Sequence, residues 1–475
     1  MAPSLEPLAE VAGFRAVVHL SLVALHSAML STAHLPSTGE VWRSVKSNII
    51  YTGMQAGGVQ VDLLFMLSGF LLTYKLLMNH AKGKGRSSLL DYIFKRALRL
   101  LPPIIVVSML GMWIGDTWDI DKDRDDYQPI WVRCAAMYTF VLNYVPASLY
   151  GSFTLSLCWS LCVDMHSGII INLLVSALKK FSGRLDAYML RRVFFVWLLV
   201  SLATRAYLFE ENSLNIFRLG QYSHFGLLMT DNSRKWIEQR FGHTWLTSNS
   251  AKELAQTYID NMYNPTHTRY GPFAVGGILG CNLFLANLST GVRRKGHDKG
   301  VSWWYRAQGW FWTLNAVIML AIPCLPSDDN APIEAQFFAT AALRTIAAAS
   351  GAYLLYTALV PADHAWASPP LSRLLASSYL APIAELSYCS YLLHFRVLME
   401  LCFTHLTRDV LSWGLAPGDW VAFMPRLFVV GLGASLALAF FLHHAIERPF
   451  LRITTNQTRE KGVKSYSDLQ RDMKD

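Results

Sequence analysis

Residues Gly13–Leu30 read GFRAVVHLSLVALHSAML. As a helix, this stretch is about 27 Å long at roughly 1.5 Å per residue. That is close to the ~30 Å apolar thickness of a bilayer. All but Arg15, His19 and His26 are apolar or small, so it reads as a membrane helix carrying three side chains that lipid rejects. Steps of 100° put His19 about 40° and His26 about 20° from Arg15, on one stripe that rises about 16 Å from Arg15 to His26.

The rest of the chain agrees with a membrane reading. Of 475 residues, 53% are hydrophobic and 16% are charged, against about 25% charged in soluble domains. Fifteen Trp and twenty Tyr suit the membrane–water interface. The net charge of +9 does not point to nucleic acid, because the basic residues cluster in short loops between apolar runs. The seven Cys are scattered, with no CxxC, so neither a metal site nor a disulfide framework is expected. The N-terminus lacks a basic n-region and a cleavage site, so the first run is expected to be retained.

Ten apolar runs are long enough to span, near 11–30, 57–79, 99–116, 154–178, 192–209, 271–290, 303–323, 335–360, 383–405 and 419–443. The resulting fold class is an all-α integral membrane protein of about ten transmembrane helices. Basic loops at 80–98, 179–192 and 291–302 alternate with neutral or acidic ones. The positive-inside rule then places both termini in the cytosol. Counting 130–148 as a span would put three basic clusters outside. That segment therefore reads as an interfacial or re-entrant helix. Residues 1–450 form one transmembrane domain, with 210–269 as an outer or lumenal insert, and 451–475 form a cytosolic tail.

A charged residue at a helix centre costs about 2.5–3.5 kcal/mol on insertion scales, so each is a functional suspect. Asp62 and Asp164 are expected at the depth of His26, where a carboxylate would hold an imidazole's tautomer and raise its basicity. Arg96 and Arg99 sit toward the cytosol, where a phosphate-rich ligand would arrive. The plainer readings are topology anchors for the arginines, a solvated cap for Asp62, an interface anchor for Trp159, and hydrogen bonding to a neighbouring helix for His19. His394, mid-way along the ninth run, has no evident task.

Six pieces in order resemble the acyltransferase 3 family of membrane acyltransferases. They are Arg15 with His26, VDLLFMLSGFLLTYKLL from Val61, KRALRLLP from Lys95, WSLCVD over Trp159–Asp164, ELSYCSYLLH over Glu385–His394, and ERPF from Glu447. The WSLCVDM form and YNPTHTRYGPFAVG over Tyr263–Gly276, which includes Arg269, resemble the eukaryotic nose-resistant-to-fluoxetine-like branch. His166 departs from the aromatic pattern usual after that aspartate.

The resemblance implies an O-acyltransferase moving an acyl group, usually acetyl, from cytosolic acyl-CoA to a hydroxyl of a glycan, lipid or small molecule, with no metal. It makes Arg15 and His26 the functional pair. His26, Asp164 and Asp62 are the candidate catalytic residues, and Arg15, Arg96 and Arg99 the candidate acyl-CoA ligands. His19, Trp159, Arg269 and His394 are further candidates. The host membrane is endomembrane (ER or Golgi) or plasma membrane. The rival class is a polytopic transporter or lipid carrier, which would neither hydrolyse acyl-CoA nor transfer from it. The sequence leaves the acceptor and the oligomeric state open.

Overall fold

The structure is a computed structural model. It describes residues 9–32, 59–83, 88–113, 130–145, 157–183, 185–212, 259–293, 303–321, 337–360, 364, 366–415 and 419–453. Most of the expected outer insert and tail, and the acidic loops near Asp119 and Asp328, lie outside those residues. The described residues contain helices and no strand. In order these are α1 (Ala9–Thr32), α2 (Gln60–Ala81), α3 (Leu89–Trp113), α4 (Ile130–Tyr138), α5 (Trp159–Ser182), α6 (Ala187–Asn212), α7 (Tyr270–Arg293) and α8 (Trp303–Ala321). They are followed by α9 (Arg344–Leu359), α10 (Pro369–Leu375), α11 (Ala381–Phe403), α12 (His405–Ser412) and α13 (Trp420–Leu442). One π-turn, Ala339–Leu343, leads into α9, and another, His443–Glu447, extends α13.

Each of the ten apolar runs falls on a helix. Five helical segments are long and apolar enough to cross a membrane: Ala9–Ser31, Gln60–Ala81, Trp159–Ser182, Ala187–Phe209 and Val421–Ile453. The outward faces are apolar as well. Phe195 and Leu199 of α6, Phe311 and Leu314 of α8, and Val429 and Phe441 of α13 are all at least half exposed. Such a face is unfavourable in water and suited to lipid. The protein is an integral membrane protein. Of the segment 130–148, the described residues 130–145 hold the short α4 and a 3₁₀ turn, Leu142–Tyr144. Neither is long enough to span.

Close helix packing rests on small residues, since lipid provides no hydrophobic drive between helices. A Cβ on Gly69 of α2 would overlap the Phe273 carbonyl of α7, and one on Gly276 of α7 would overlap the Met66 carbonyl of α2. α1 packs against α11 and α13, which brings its His stripe against Ser390 and His394.

Candidate functional site

A cavity of about 400 Å³ lies between α1, α2, α3, α5 and α11. One stripe of α2 forms a wall: Val61, Leu64, Phe65, Ser68, Leu72, Lys75 and Asn79. These positions recur at helical spacing. The wall is apolar toward Val61 and polar toward Asn79. Arg15, Lys75, Arg96 and Arg99 bring four cations to the lining, and Asp164 brings its one carboxylate. Asp164 accepts from Arg96. Arg99 Nε stands 3.9 Å from Glu447 Oε1, which approaches from behind. Among the described residues, Nε of Arg15, Arg96 and Arg99 is buried without a hydrogen-bond partner. A buried donor left unmade is costly. The three arginines line one cavity, and guanidiniums are suited to acceptor-rich anions.

Beside this cavity runs a row of three buried histidines. His19 lines the cavity, and its Nε2 lies 2.9 Å from Ser390 Oγ. His26 Nδ1 lies 2.8 Å from His394 Nε2. His394 Nδ1 is 3.1 Å from the Ser390 carbonyl and 2.9 Å from that of Tyr391. The ring centroids of His26 and His394 are 5.0 Å apart, and those of His19 and His394 are 5.9 Å apart. Tyr391 also lines the cavity. Its hydroxyl donates to the Leu157 carbonyl at 2.8 Å and meets Ser160 Oγ at 2.7 Å. Its ring lies 5.8 Å from that of His394. The structure thus brings Arg15, His19, Arg96, Arg99 and Asp164 to one cavity, and pairs His26 with His394 just beyond it.

Asp62 is elsewhere. The sequence suggests that Asp62 or Asp164 orients His26, but among the described residues neither bonds to it. Asp62 takes two hydrogen bonds from Arg269 Nη1, at 2.8 and 3.1 Å, and one from Arg344 Nη1 at 3.2 Å. All three side chains are buried. The Arg269 guanidinium also lies 4.3 Å from the Tyr263 ring centroid and 5.1 Å from that of Trp159, and its Nε donates to the Tyr263 carbonyl at 2.6 Å. One buried carboxylate bridging two guanidiniums suits a structural clamp rather than a base-orienting group. Trp159 is part of that clamp, not an isolated interface anchor. His166 also points away from the cavity, with its Nδ1 2.8 Å from Thr266 Oγ1. On the same outer turn, partial burial lowers the pKa of His267 below its ordinary value.

Two groupings escaped the sequence reading. Arg344 falls in an apolar run, and its charge there was the available signal. At the end of α13, ligand atoms of Cys389, His443 and Glu447 lie within 4.8 Å of one another. No metal was expected, and these groups already have partners. Glu447 accepts from the Cys389 thiol at 3.2 Å and from His443 Nδ1 at 2.8 Å. His443 Nε2 faces Glu385 at 3.3 Å. The ERPF motif at Glu447 pointed to this place without giving its partners.

An apolar-faced helical bundle that keeps a cation-lined cavity and a histidine row inside defines a class: polytopic membrane proteins with intramembrane polar chemistry. The acyltransferase 3 family, described as an acyltransferase domain, matches residues 8–444. The chain belongs to that family and is a membrane acyltransferase. Comparison with curated proteins and with solved structures returns no match.

Proposed function

We propose that the protein is an O-acyltransferase with ten membrane spans and both termini in the cytosol, of the nose-resistant-to-fluoxetine-like branch. It takes an acyl group, acetyl in the simplest case, from cytosolic acyl-CoA and passes it to a hydroxyl of a glycan, lipid or small molecule. It resides in an endomembrane or the plasma membrane. The observation that carries the reading is the cavity lined by three arginines and a lysine beside a buried histidine row. Arg15, Arg96, Arg99 and Lys75 hold the phosphates of CoA. The thioester extends toward His19 and Tyr391, and His26 removes the acceptor's proton. The alternative chemistry, an acyl-histidine, places the acyl group on His26 before transfer.

The test uses purified protein with radiolabelled acetyl-CoA, and isolated membranes as the source of hydroxyl acceptors. Wild type should release CoA thiol and label an acceptor. His26→Ala should lose about 10²–10⁴-fold in turnover, the usual contribution of a general base, with expression and melting temperature unchanged. Full activity in His26→Ala overturns the assignment of His26. No thiol release by wild type overturns the acyl-transfer reading and leaves the carrier class. Label retained on the protein without acceptor selects the acyl-histidine route.

A further inference from the structure

We infer that His394 is a positioning residue that fixes the tautomer of His26, leaving the unprotonated Nε2 of His26 to accept the acceptor hydroxyl's proton. The inference rests on the acyl-transfer reading and goes beyond it by assigning the proton's path atom by atom. The argument begins at His394 Nδ1. Both of its partners, the carbonyls of Ser390 and Tyr391, are acceptors only. Nδ1 therefore carries a proton, and in a neutral ring Nε2 carries the lone pair. That lone pair faces His26 Nδ1 at 2.8 Å. Two ring nitrogens this close need one proton between them. His394 could supply it only as a buried imidazolium, and no carboxylate bonds to His394 among the described residues. The proton is therefore on His26 Nδ1, which donates to His394. The second nitrogen of a neutral His26 is then the bare one.

A backbone carbonyl thus does through His394 what a carboxylate does in a Ser-His-Asp triad, where the partner holds the imidazole's tautomer and orientation. It does so without placing a fixed negative charge in the membrane, which explains why neither Asp62 nor Asp164 is needed at His26. The step balances. The acceptor O–H proton moves to His26 Nε2 as the oxygen bonds to the thioester carbonyl carbon. The C–S bond then breaks, and the departing CoA thiolate takes that proton back. His26 is charged only in between, with its Nδ1–H still donated to His394.

The test compares four variants, with radiolabelled acetyl-CoA as donor and isolated membranes as acceptor source. His394→Phe keeps the ring's bulk and loses the acceptor. It should lower kcat about 10²-fold, the lower end of a general base's contribution, and leave the KM for acetyl-CoA unchanged. His394→Gln presents an amide oxygen to His26 Nδ1–H and should recover at least tenfold over Phe. The double variant His26→Ala/His394→Phe should be no slower than His26→Ala, because the two residues act as one unit. If the Phe variant does not fold, His394→Leu replaces it. Equal activity of the Gln and Phe variants, a fall confined to KM, or additive losses in the double variant each overturn the inference. An inactive wild type overturns the acyl-transfer reading and the inference with it.

Discussion

α2 carries a buried charged site toward each of its ends, and the two are built in opposite ways. Near its start, Asp62 sits between Arg269 and Arg344, and the Tyr263 ring covers both guanidiniums. Toward its end, Lys75 joins Arg15, Arg96 and Arg99 around a cavity that contributes only one carboxylate. Both groups are costly inside a membrane. In the first, one carboxylate is shared by two arginines of the protein itself. The second gathers four cations around a cavity. The comparison separates arginines that hold helices together from arginines that line a cavity.

The largest effect that would break this contrast is on Asp62. Asp62→Ala leaves two buried guanidiniums without their shared counter-charge, which should destabilise by about 3–5 kcal/mol. The readout is the melting temperature of detergent-purified protein together with its yield. An Asp62→Ala protein as stable as wild type would show that the clamp is not structural.

Next in size is a crossed pair. Arg15→Ala removes a cavity cation whose Nε has no partner among the described residues. It should weaken acetyl-CoA binding by about 10–150-fold, the value of one hydrogen bond to a charged group at roughly 1.5–3 kcal/mol, with stability unchanged. Arg269→Ala should do the reverse, losing stability before it loses affinity in the protein that still folds. Binding measured by calorimetry beside thermal melting sharpens the comparison. If Arg15→Ala melts early while Arg269→Ala binds poorly, the two roles are exchanged.

The helices were legible in the sequence because lipid demands long apolar runs, and each run fell on a helix. The starts were less legible. α3 begins at Leu89, ten residues before the run at 99–116, because Asp91, Lys95, Arg96 and Arg99 lower the average hydropathy of a helix that is apolar on its other side. Arg15, Arg96, Arg99 and the histidines stood out by their cost in lipid, and most of them meet at one site. Their partners did not stand out. Asp62 and Arg269 are 207 positions apart, and His26 and His394 are 368 apart. Nothing local couples them. Depth along a helix put Asp62 and Asp164 level with His26, but depth says nothing about the direction a side chain faces. Direction gave both carboxylates to arginines.

The smallest effect concerns His166. It lies two residues after Asp164, one of the cavity-lining residues. Two residues along a helix turn the side chain by about 200°. His166 accordingly faces outward to Thr266, to which Asn143 Nδ2 also donates at 2.8 Å. The Tyr144 ring stands 6.0 Å from it. His166 therefore belongs with the 3₁₀ turn Thr266–Thr268 that leads into Arg269, and not with the cavity. His166→Phe should cost about 0.5–1.5 kcal/mol, one neutral hydrogen bond, and leave acetyl-CoA affinity within about twofold of wild type. An affinity loss as large as that of Arg15→Ala would mean that the outer turn and the cavity are coupled, and that the two ends of α2 are one site.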